Sequence, residues 1–412
     1  MIDFTTKLPE MKSGNELKSV MTVLPDYNSE IRKENQAVRL MVLSDLYNIY
    51  VPSKMSYEIY NKLYLALLRS LQKKGTQLAV RQQNENFKAI RQLGGNGIIG
   101  GSDSFTIIGT SGIGKSSTIN KTISLITEKG IIETEKPYSK IIPCVVVQCP
   151  FDSSVKGLLL EILRKIDEVL DSSFYENAIK TKAIIDTLIG SVSQVALNNI
   201  GMLVVDEIQN VVNSKNGKSL IGALTQLINN SGISICMVGT PESTVFFEQA
   251  MQLARRSVGL QYKNMEYGDE FREICKILYS YQYVVHETEI TDTIIEWLYE
   301  HSSGIISILV SLIHDAQEIA ILNGKETLNM ESLNEAYNQR LSMLHDYIQP
   351  SIIHKKQTST RKKKTVNNML SPSVIFENDN INIKELVSRA KREQSDIVDL
   401  LKEHFSVTEV MV

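Results

Sequence analysis

The chain has 412 residues, of which 42% are hydrophobic and 22% are charged, and its formal net charge at neutral pH is −3. These values fit an ordinary globular protein of two or three domains and exclude a uniformly basic surface, so nucleic-acid binding would need a local patch. No uncharged apolar run approaches the roughly 18 residues that span a bilayer, and the first residues lack a secretion signal. The four thinly spread cysteines suit a reducing compartment. We therefore expect a cytoplasmic protein without a membrane partner.

The first 75 residues predict a helical extension. Residues 1 to about 50 are polar with weak helical signals, whereas apolar residues recur at helical spacing between Ser56 and Lys73, and Gly75 is a natural stop. The recurring residues are Ile59, Tyr60, Leu63, Tyr64, Leu67, Leu68 and Leu71. This stripe predicts an amphipathic helix that packs on the domain that follows.

The segment 76–265 predicts an α/β core. Four short runs rich in Val and Ile, "SFTIIG", "PCVVVQC", "MLVVD" and "ISICMVG", are each followed by a loop and a helical pattern. Such strands are typical of a parallel sheet that is covered by helices on both faces. Beyond about residue 270 the strands stop, and three helical patterns, the first two ended by Gly304 and Gly324, predict an all-helical lid over 266–346. We assign Trp297 and "YSYQYVV" to the lid core rather than to a base-stacking platform.

Residues 347–412 predict a tail of a different kind. The run "HKKQTSTRKKKT", from His354 to Thr365, carries six basic residues and no acid, which suits either a solvated linker or an arm that contacts DNA phosphates. A helical stripe after it predicts a separate amphipathic helix, which either docks a partner or folds back. The stripe consists of Ile383, Leu386, Val387, Ala390, Ile397, Leu401 and Phe405.

The stretch "GTSGIGKS" matches the phosphate-binding pattern G-x-x-x-x-G-K-[ST]. Its glycines let backbone N–H groups approach phosphates, Lys115 supplies a positive charge, and Ser116 offers a hydroxyl to Mg²⁺. An apolar strand precedes the loop and a helical pattern follows it, so the helix N-terminus faces the anion. ATP and Mg²⁺ are therefore the predicted cofactors. The residues predicted to bind the nucleotide are Gly109, Thr110, Ser111, Gly112, Ile113, Gly114, Lys115, Ser116 and Ser117.

Three further elements follow the phosphate loop, and the adjacent acidic pair in the first predicts hydrolysis of ATP rather than transfer of its phosphate to a bound acceptor. One strand ends in Asp206 and Glu207, of which the first is predicted to hold Mg²⁺ and the second to polarise the attacking water. Another strand ends at Thr240, which either contacts the γ-phosphate or the attacking water, or only begins a turn. Arg255 and Arg256 either supply an arginine finger to a neighbouring subunit or form a solvated pair. A site completed by a neighbour makes ATP join subunits, so that hydrolysis loosens the assembly.

These elements in this order resemble an AAA+ ATPase, and finer phrases resemble the TnsC/TniB regulators of DNA transposition. The phrases include "CPFDSSVKGLLLEIL", "GMLVVDEIQNV", "LINNSGISICMVGTPES" and "ARRSVG", and the resemblance covers roughly Tyr50 to Asn323. It implies the same roles for Lys115, Ser116, Asp206, Glu207, Thr240 and the arginine pair. One departure is the start of a lid helix, "GIISILV", which lacks the arginine with which many AAA+ lids sense the nucleotide.

The resemblance also implies partners. Such proteins assemble as rings or filaments around duplex DNA in the bacterial cytoplasm and link a target selector of the TnsD/TniQ type to the transposase subunits TnsA/TnsB. DNA contacts are then expected on loops that face the ring pore, although each candidate is otherwise an ordinary surface lysine. The candidates are Lys121, Lys129, Lys136 and Lys140. Contacts to phosphates alone would be independent of sequence and sensitive to salt.

Two other functions remain open at the level of sequence. One is an AAA+ replication initiator or helicase loader, for which a winged-helix DNA-binding domain is expected after the lid. The other is a nucleotide-gated sensor that binds protein partners and never contacts DNA. The first predicts a second DNA-binding domain, and the second predicts an ATPase rate that DNA does not change.

Overall fold

The computed structural model describes residues 4–100, 104–133, 140–212, 214–244 and 259–342. All of them belong to one unit, Met1–Ile352. The predicted basic linker, the tail helix, Lys136, Arg255 and Arg256 lie outside the described residues.

Thirteen α-helices and six strands are defined within the described ranges. The helices are α1 (Gly14–Met21), α2 (Gln36–Val42), α3 (Lys54–Lys74), α4 (Gln77–Ile90), α5 (Lys115–Ile126), α6 (Val155–Leu170), α7 (Phe174–Lys180), α8 (Ile185–Asn199), α9 (Gly217–Ser231), α10 (Asp269–Ser280), α11 (Asp292–Ser302), α12 (Ile306–Leu322) and α13 (Met330–Arg340). The strands are β1 (Phe105–Gly109), β2 (Ile132–Glu133), β3 (Lys140–Gln148), β4 (Ile200–Asp206), β5 (Ser234–Gly239) and β6 (Leu260–Tyr262).

The strands form one sheet in the order β2-β3-β4-β5-β1-β6. The pairs β3–β4, β4–β5, β5–β1 and β1–β6 are parallel, which confirms the predicted parallel core. The edge strand β2 is antiparallel to β3, so the sheet is mixed rather than purely parallel. The sequence did not predict β2 or β6 because strands of two and three residues carry too few side chains for a recognisable pattern.

Helices cover both faces of the sheet, as the sequence predicted. Successive strand residues point to opposite faces, so Leu203 and Val205 pack with α6, α8 and α9, whereas Met202 and Val204 pack with α3 and α5. These strand residues are buried on both sides, which explains why the runs lack alternation in the sequence. The predicted α/β fold, a parallel core sheet flanked by helices, is therefore confirmed.

A second hydrophobic core lies among the helices α10–α13. It contains Tyr279, Tyr281 and Tyr283, which confirms the assignment of "YSYQYVV" to the lid, and Trp297, whose ring stacks on His301 at a centroid distance of 3.8 Å. The described lid has four helices, because α10 precedes the three that the sequence predicted. No helix in the described part of the chain is long and apolar enough to cross a membrane.

The N-terminal segment takes part in both cores. Phe4, Leu17 and Met21 pack on the sheet, while Leu43 and Leu46 are buried among the lid helices. The predicted amphipathic helix is α3, and its apolar stripe packs against the sheet. The predicted domain limits at residues 75, 265 and 346 stay predictions.

Candidate nucleotide-binding site

The phosphate loop connects β1, which ends at Gly109, to α5, which begins at Lys115. Gly112 has φ +81° and Gly114 has φ +96°, in the left-handed region that strains residues with a Cβ. No side chain caps the start of α5, so its first N–H groups are available to an anion. The loop thus has the backbone that the sequence pattern predicts for binding phosphate.

The Lys115 side chain is turned back onto its own loop. Its Nζ donates to the carbonyl oxygens of Gly109 at 2.6 Å and Thr110 at 2.8 Å. Burial lowers the pKa of Lys115, and the nearby carboxylates of Asp206, Glu207 and Glu242 oppose this effect. A bound phosphate would have to draw the ammonium away from these two carbonyls.

Ser116 and Asp206 meet where α5 begins and β4 ends. The Ser116 hydroxyl donates to Asp206 Oδ2 at 3.0 Å, and the other carboxylate oxygen accepts the backbone N–H of Glu207 at 2.8 Å. One hydroxyl and one carboxylate are an oxygen-only donor set, which suits Mg²⁺ because that ion completes its shell with water and phosphate. The residues present therefore fit the predicted metal.

Glu207 lies directly after β4 in an unusual backbone conformation. Its φ is +58° and its ψ is 36°, a left-handed geometry that costs a residue with a Cβ of order 1 kcal/mol. The short 3₁₀ helix Ile208–Val211 begins after it, and Gln209 Nε2 donates to Glu207 Oε2. The carboxylate is exposed in the cleft, where the sequence predicted a residue that polarises water.

Thr240 lies in the same cleft, directly after β5. Its hydroxyl bonds to the carboxylate of Glu242 and thereby lowers the pKa of that group. The predicted contact of Thr240 with the γ-phosphate or water therefore needs this hydroxyl to be shared or released. Arg255 and Arg256 lie outside the described residues, so their predicted role as a finger remains untested.

These residues surround a cleft of about 230 Å³. Its walls are Ser111, Gly112, Gly114, Lys115, Ser116, Ser117, Asp206, Glu207, Gln209, Gly239, Thr240 and Ser307. Three residues predicted to bind the nucleotide do not line it: the carbonyls of Gly109 and Thr110 hold Lys115, and Ile113 is buried beside a neighbouring pocket. The structure otherwise brings the predicted phosphate, metal and water residues together.

That neighbouring pocket is apolar, has a volume of about 300 Å³, and was not predicted. It shares Gly112, Gly114, Ser117 and Ser307 with the phosphate cleft. Its apolar walls are Tyr47, Ile49, Tyr50, Val51, Met55, Ile113, Met265, Ile274, Leu278, Ile306 and Val310. An apolar pocket of this size beside a phosphate site suits a nucleobase. No local signal could have revealed it, because four separate parts of the chain form it.

Ser307 and Gln209 are further residues that the sequence analysis did not assign. Ser307 stands at the start of α12, in the stretch noted only for its missing arginine, and its backbone N–H donates to Gly112 O at 3.0 Å. Gln209 was noticed only as part of a family phrase. The lid therefore reaches the phosphate loop through the backbone of Ser307.

The lysines predicted to contact DNA have different surroundings. Lys121 is half-buried on α5, and Lys140 is exposed at the start of β3. Lys129 Nζ donates to Leu8 O at 3.2 Å, so its charge is partly engaged within the chain. A role of these lysines in binding DNA stays a prediction.

Among solved structures, the chain is similar to Aeropyrum pernix ORC1 in complex with DNA (14% identity, 70% of this chain, 78% of that chain, TM-score 0.43). It is also similar to Drosophila ORC bound to DNA (11% identity, 97% of this chain, 83% of that chain, TM-score 0.43). A further similar structure is Thermotoga maritima RuvB, a Holliday junction branch migration motor (14% identity, 84% of this chain, 84% of that chain, TM-score 0.37). No curated protein is significantly similar in sequence. Residues 99–266 match the family described as bacterial TniB protein. The chain is thus similar to TniB proteins over the segment that holds the phosphate loop, Asp206, Glu207 and Thr240.

Proposed function

We propose that this chain is an ATP-dependent regulator of DNA transposition that assembles on duplex DNA and disassembles when it hydrolyses ATP. The observation that carries the proposal is the cleft in which Lys115, the Ser116–Asp206 pair and Glu207 converge, within a segment that matches the TniB family. A site with separate groups for phosphate, metal and water is built for hydrolysis.

The residues of the cleft have distinct tasks in this proposal. The N–H groups of the loop and the start of α5 bind the phosphates, and Lys115 leaves its two carbonyls to join them. Ser116 and Asp206 hold Mg²⁺, which when bound neutralises phosphate charge. Glu207 accepts a proton from water as the water oxygen bonds to the γ-phosphorus and the bond to the β-phosphate oxygen breaks, which yields ADP and phosphate.

The base would occupy the apolar pocket between the N-terminal segment and the lid. Because Ser307 and Gly112 border both cavities, a nucleotide that fills them contacts the lid and the phosphate loop together. The bound nucleotide would therefore fix the orientation of the lid. In a homo-oligomer, Arg255 or Arg256 of one subunit would complete the site of the next, so that hydrolysis weakens the contact between subunits.

The proposed partners are duplex DNA, a TnsD/TniQ-type selector and the transposase subunits TnsA/TnsB. The DNA would be bound through its phosphates by Lys121, Lys129, Lys136 and Lys140. The family match and the phrases that it contains support this assignment. The tail after residue 370 would dock the transposase. Its deletion should leave DNA binding and ATPase activity unchanged and abolish recruitment of the transposase in a pull-down.

Sedimentation of the full chain on duplex DNA tests the central proposal. Multi-subunit complexes should form with ATP and DNA together, persist in Glu207→Gln because hydrolysis is blocked, and fail to form in Lys115→Ala because the nucleotide is not held. Assembly that depends on nucleotide but not on DNA would support the protein-binding sensor instead. Equal assembly with and without nucleotide would contradict an ATP switch.

A further inference from the structure

The side chain of Gln209 connects Glu207 to the end of β5. Its Nε2 donates to Glu207 Oε2, and its own Oε1 is buried without a hydrogen-bond partner among the residues that the structure describes. The opposite orientation of the amide would place its carbonyl oxygen against the carboxylate, which is repulsive. The observed orientation therefore makes the contact with Glu207 and leaves the carbonyl oxygen unsatisfied.

The backbone on both sides provides the space for this contact. A tight turn begins at Glu207, whose backbone is left-handed, and the N–H of Asn210 donates to Glu207 O across it at 3.1 Å. This turn allows the side chains of Glu207 and Gln209, two residues apart, to meet. Gly239 at the end of β5 leaves room for the amide. A Cβ there would lie 2.7 Å from Ile208 Cγ2 and 3.0 Å from Gln209 Oε1.

The contact with Gln209 gives the two oxygens of the Glu207 carboxylate different surroundings. Oε2 is engaged by Gln209, whereas Oε1 has no hydrogen-bond partner in the described part of the chain and belongs to a side chain that lines the cleft. A carboxylate that accepts a proton from water must be held in one direction, because misplacement of a base by a fraction of an ångström reduces its efficiency.

We propose that Gln209 is a positioning residue that holds Glu207 by Oε2 and thereby directs Oε1 toward the attacking water. This inference rests on the proposed ATPase activity. Gln209 would thereby affect the turnover rate and take no direct part in binding the nucleotide. Gln209 acts through Glu207 and takes no proton itself.

Steady-state hydrolysis by the full chain with duplex DNA tests the proposal through two substitutions. Gln209→Met keeps the length of the side chain but removes the donor, so kcat should fall about tenfold, part of the roughly 10²–10⁴-fold that general acid–base catalysis contributes. KM and the affinity for a fluorescent ATP analogue should change by less than about twofold. A Glu207→Gln background lacks the carboxylate that Gln209 holds, so the same substitution should leave its small residual rate unchanged.

The second substitution, Gln209→Glu, tests the pH dependence of the rate, which should not change if Gln209 only stabilises the fold. Two adjacent carboxyl groups share one proton, so the pKa of the pair is raised, and the shared proton restores a donor to Oε2. The rate of this variant relative to wild type should therefore rise as pH falls from 8 to 6. The relative rate of Gln209→Met should stay constant over the same range.

Asn210→Ala is the matched control, since Asn210 holds the same turn by donating to Cys149 O at 2.9 Å without contacting the Glu207 carboxylate. Its relative rate should not depend on pH. A Gln209→Met variant that is as fast as wild type or faster would overturn the positioning role alone. Absence of hydrolysis by the wild type, with the nucleotide bound, would reject both this role and the proposed ATPase activity.

Discussion

The backbone N–H of Ser307 donates to the carbonyl oxygen of Gly112 at 3.0 Å, and this bond joins the lid to the phosphate loop. The two residues come from positions almost 200 apart in the sequence, and both line the phosphate cleft and the apolar pocket. A nucleotide would occupy the space beside this contact. The bond thus offers a direct route by which occupancy of the cleft is transmitted to the lid.

Gly112→Ala should disrupt this contact. Gly112 has φ +81°, and a Cβ there would lie 2.2 Å from Ser307 Oγ and 2.9 Å from Ile305 Cγ2, so both the backbone and the lid must move. We expect the affinity for ATP to fall at least about tenfold, about 1.4 kcal/mol, in a fluorescence titration.

Two other glycine variants separate the effect of backbone strain from that of the clash with the lid. Gly114 has φ +96°, and no atom lies within 4 Å of the position that an added Cβ would take. Gly114→Ala therefore introduces backbone strain without a clash. Gly222→Ala, in α9 with nothing within 4 Å, should bind ATP normally and raise the free energy of unfolding by about 0.5–1 kcal/mol. Normal ATP affinity in Gly112→Ala would show that the lid contact is not needed for binding.

Val310→Trp should fill the apolar pocket. Val310 lies on α12 one turn after Ile306, and its side chain is 9% exposed. If the pocket receives the base, the affinity for ATP should fall at least about tenfold, whereas tripolyphosphate, which has no base, should bind as in wild type. Both affinities are measured by calorimetry.

Val169→Trp on α6 is the control for the added indole, because Val169 is 47% exposed. It should leave both affinities unchanged. Equal loss of ATP and tripolyphosphate binding in Val310→Trp would indicate damage to the phosphate loop instead of occupation of a base pocket. Unchanged ATP binding would place the base elsewhere.

Glu326→Gln should loosen the N-terminal segment from the lid. Arg39, which is 4% exposed, donates to both oxygens of Glu326 at 2.6 and 2.7 Å. Removing the charge leaves a buried guanidinium without its counter-ion, so the free energy of unfolding should fall by about 3–5 kcal/mol at pH 7. The control Glu287→Gln breaks the exposed pair with Arg32 and should cost at most about 1 kcal/mol.

The same pair has a defined pH dependence. The hydrogen bond from Arg39 lowers the pKa of Glu326 below its ordinary value of 4.5, so the carboxylate stabilises the folded state above that pH. The difference in unfolding free energy between wild type and Glu326→Gln should be constant above about pH 5 and shrink as pH falls below 4.5. A difference that grows toward acid pH in denaturant titrations would contradict this assignment.

The sequence predicted those parts of the site that are contiguous or that end a buried strand. Gly109 to Ser116 are contiguous in the sequence. Asp206 ends one strand, while Glu207 and Thr240 directly follow strands, and the carboxyl ends of these strands must meet at one edge of a parallel sheet. Their proximity therefore follows from strand order. Gln209 and Ser307 were missed because nothing in a turn or a helix start shows which side chain or carbonyl it will meet.

The sequence by itself determined the α/β core, the helical lid and the chemistry of the phosphate loop, since local patterns of apolar residues and a short motif encode them. Only the tertiary structure decided that the N-terminal segment completes both hydrophobic cores, that it forms an apolar pocket with the lid, and that Arg39 pairs with Glu326. These features depend on contacts between residues hundreds of positions apart. Packing selects such contacts through shape and charge, and no local periodicity records them.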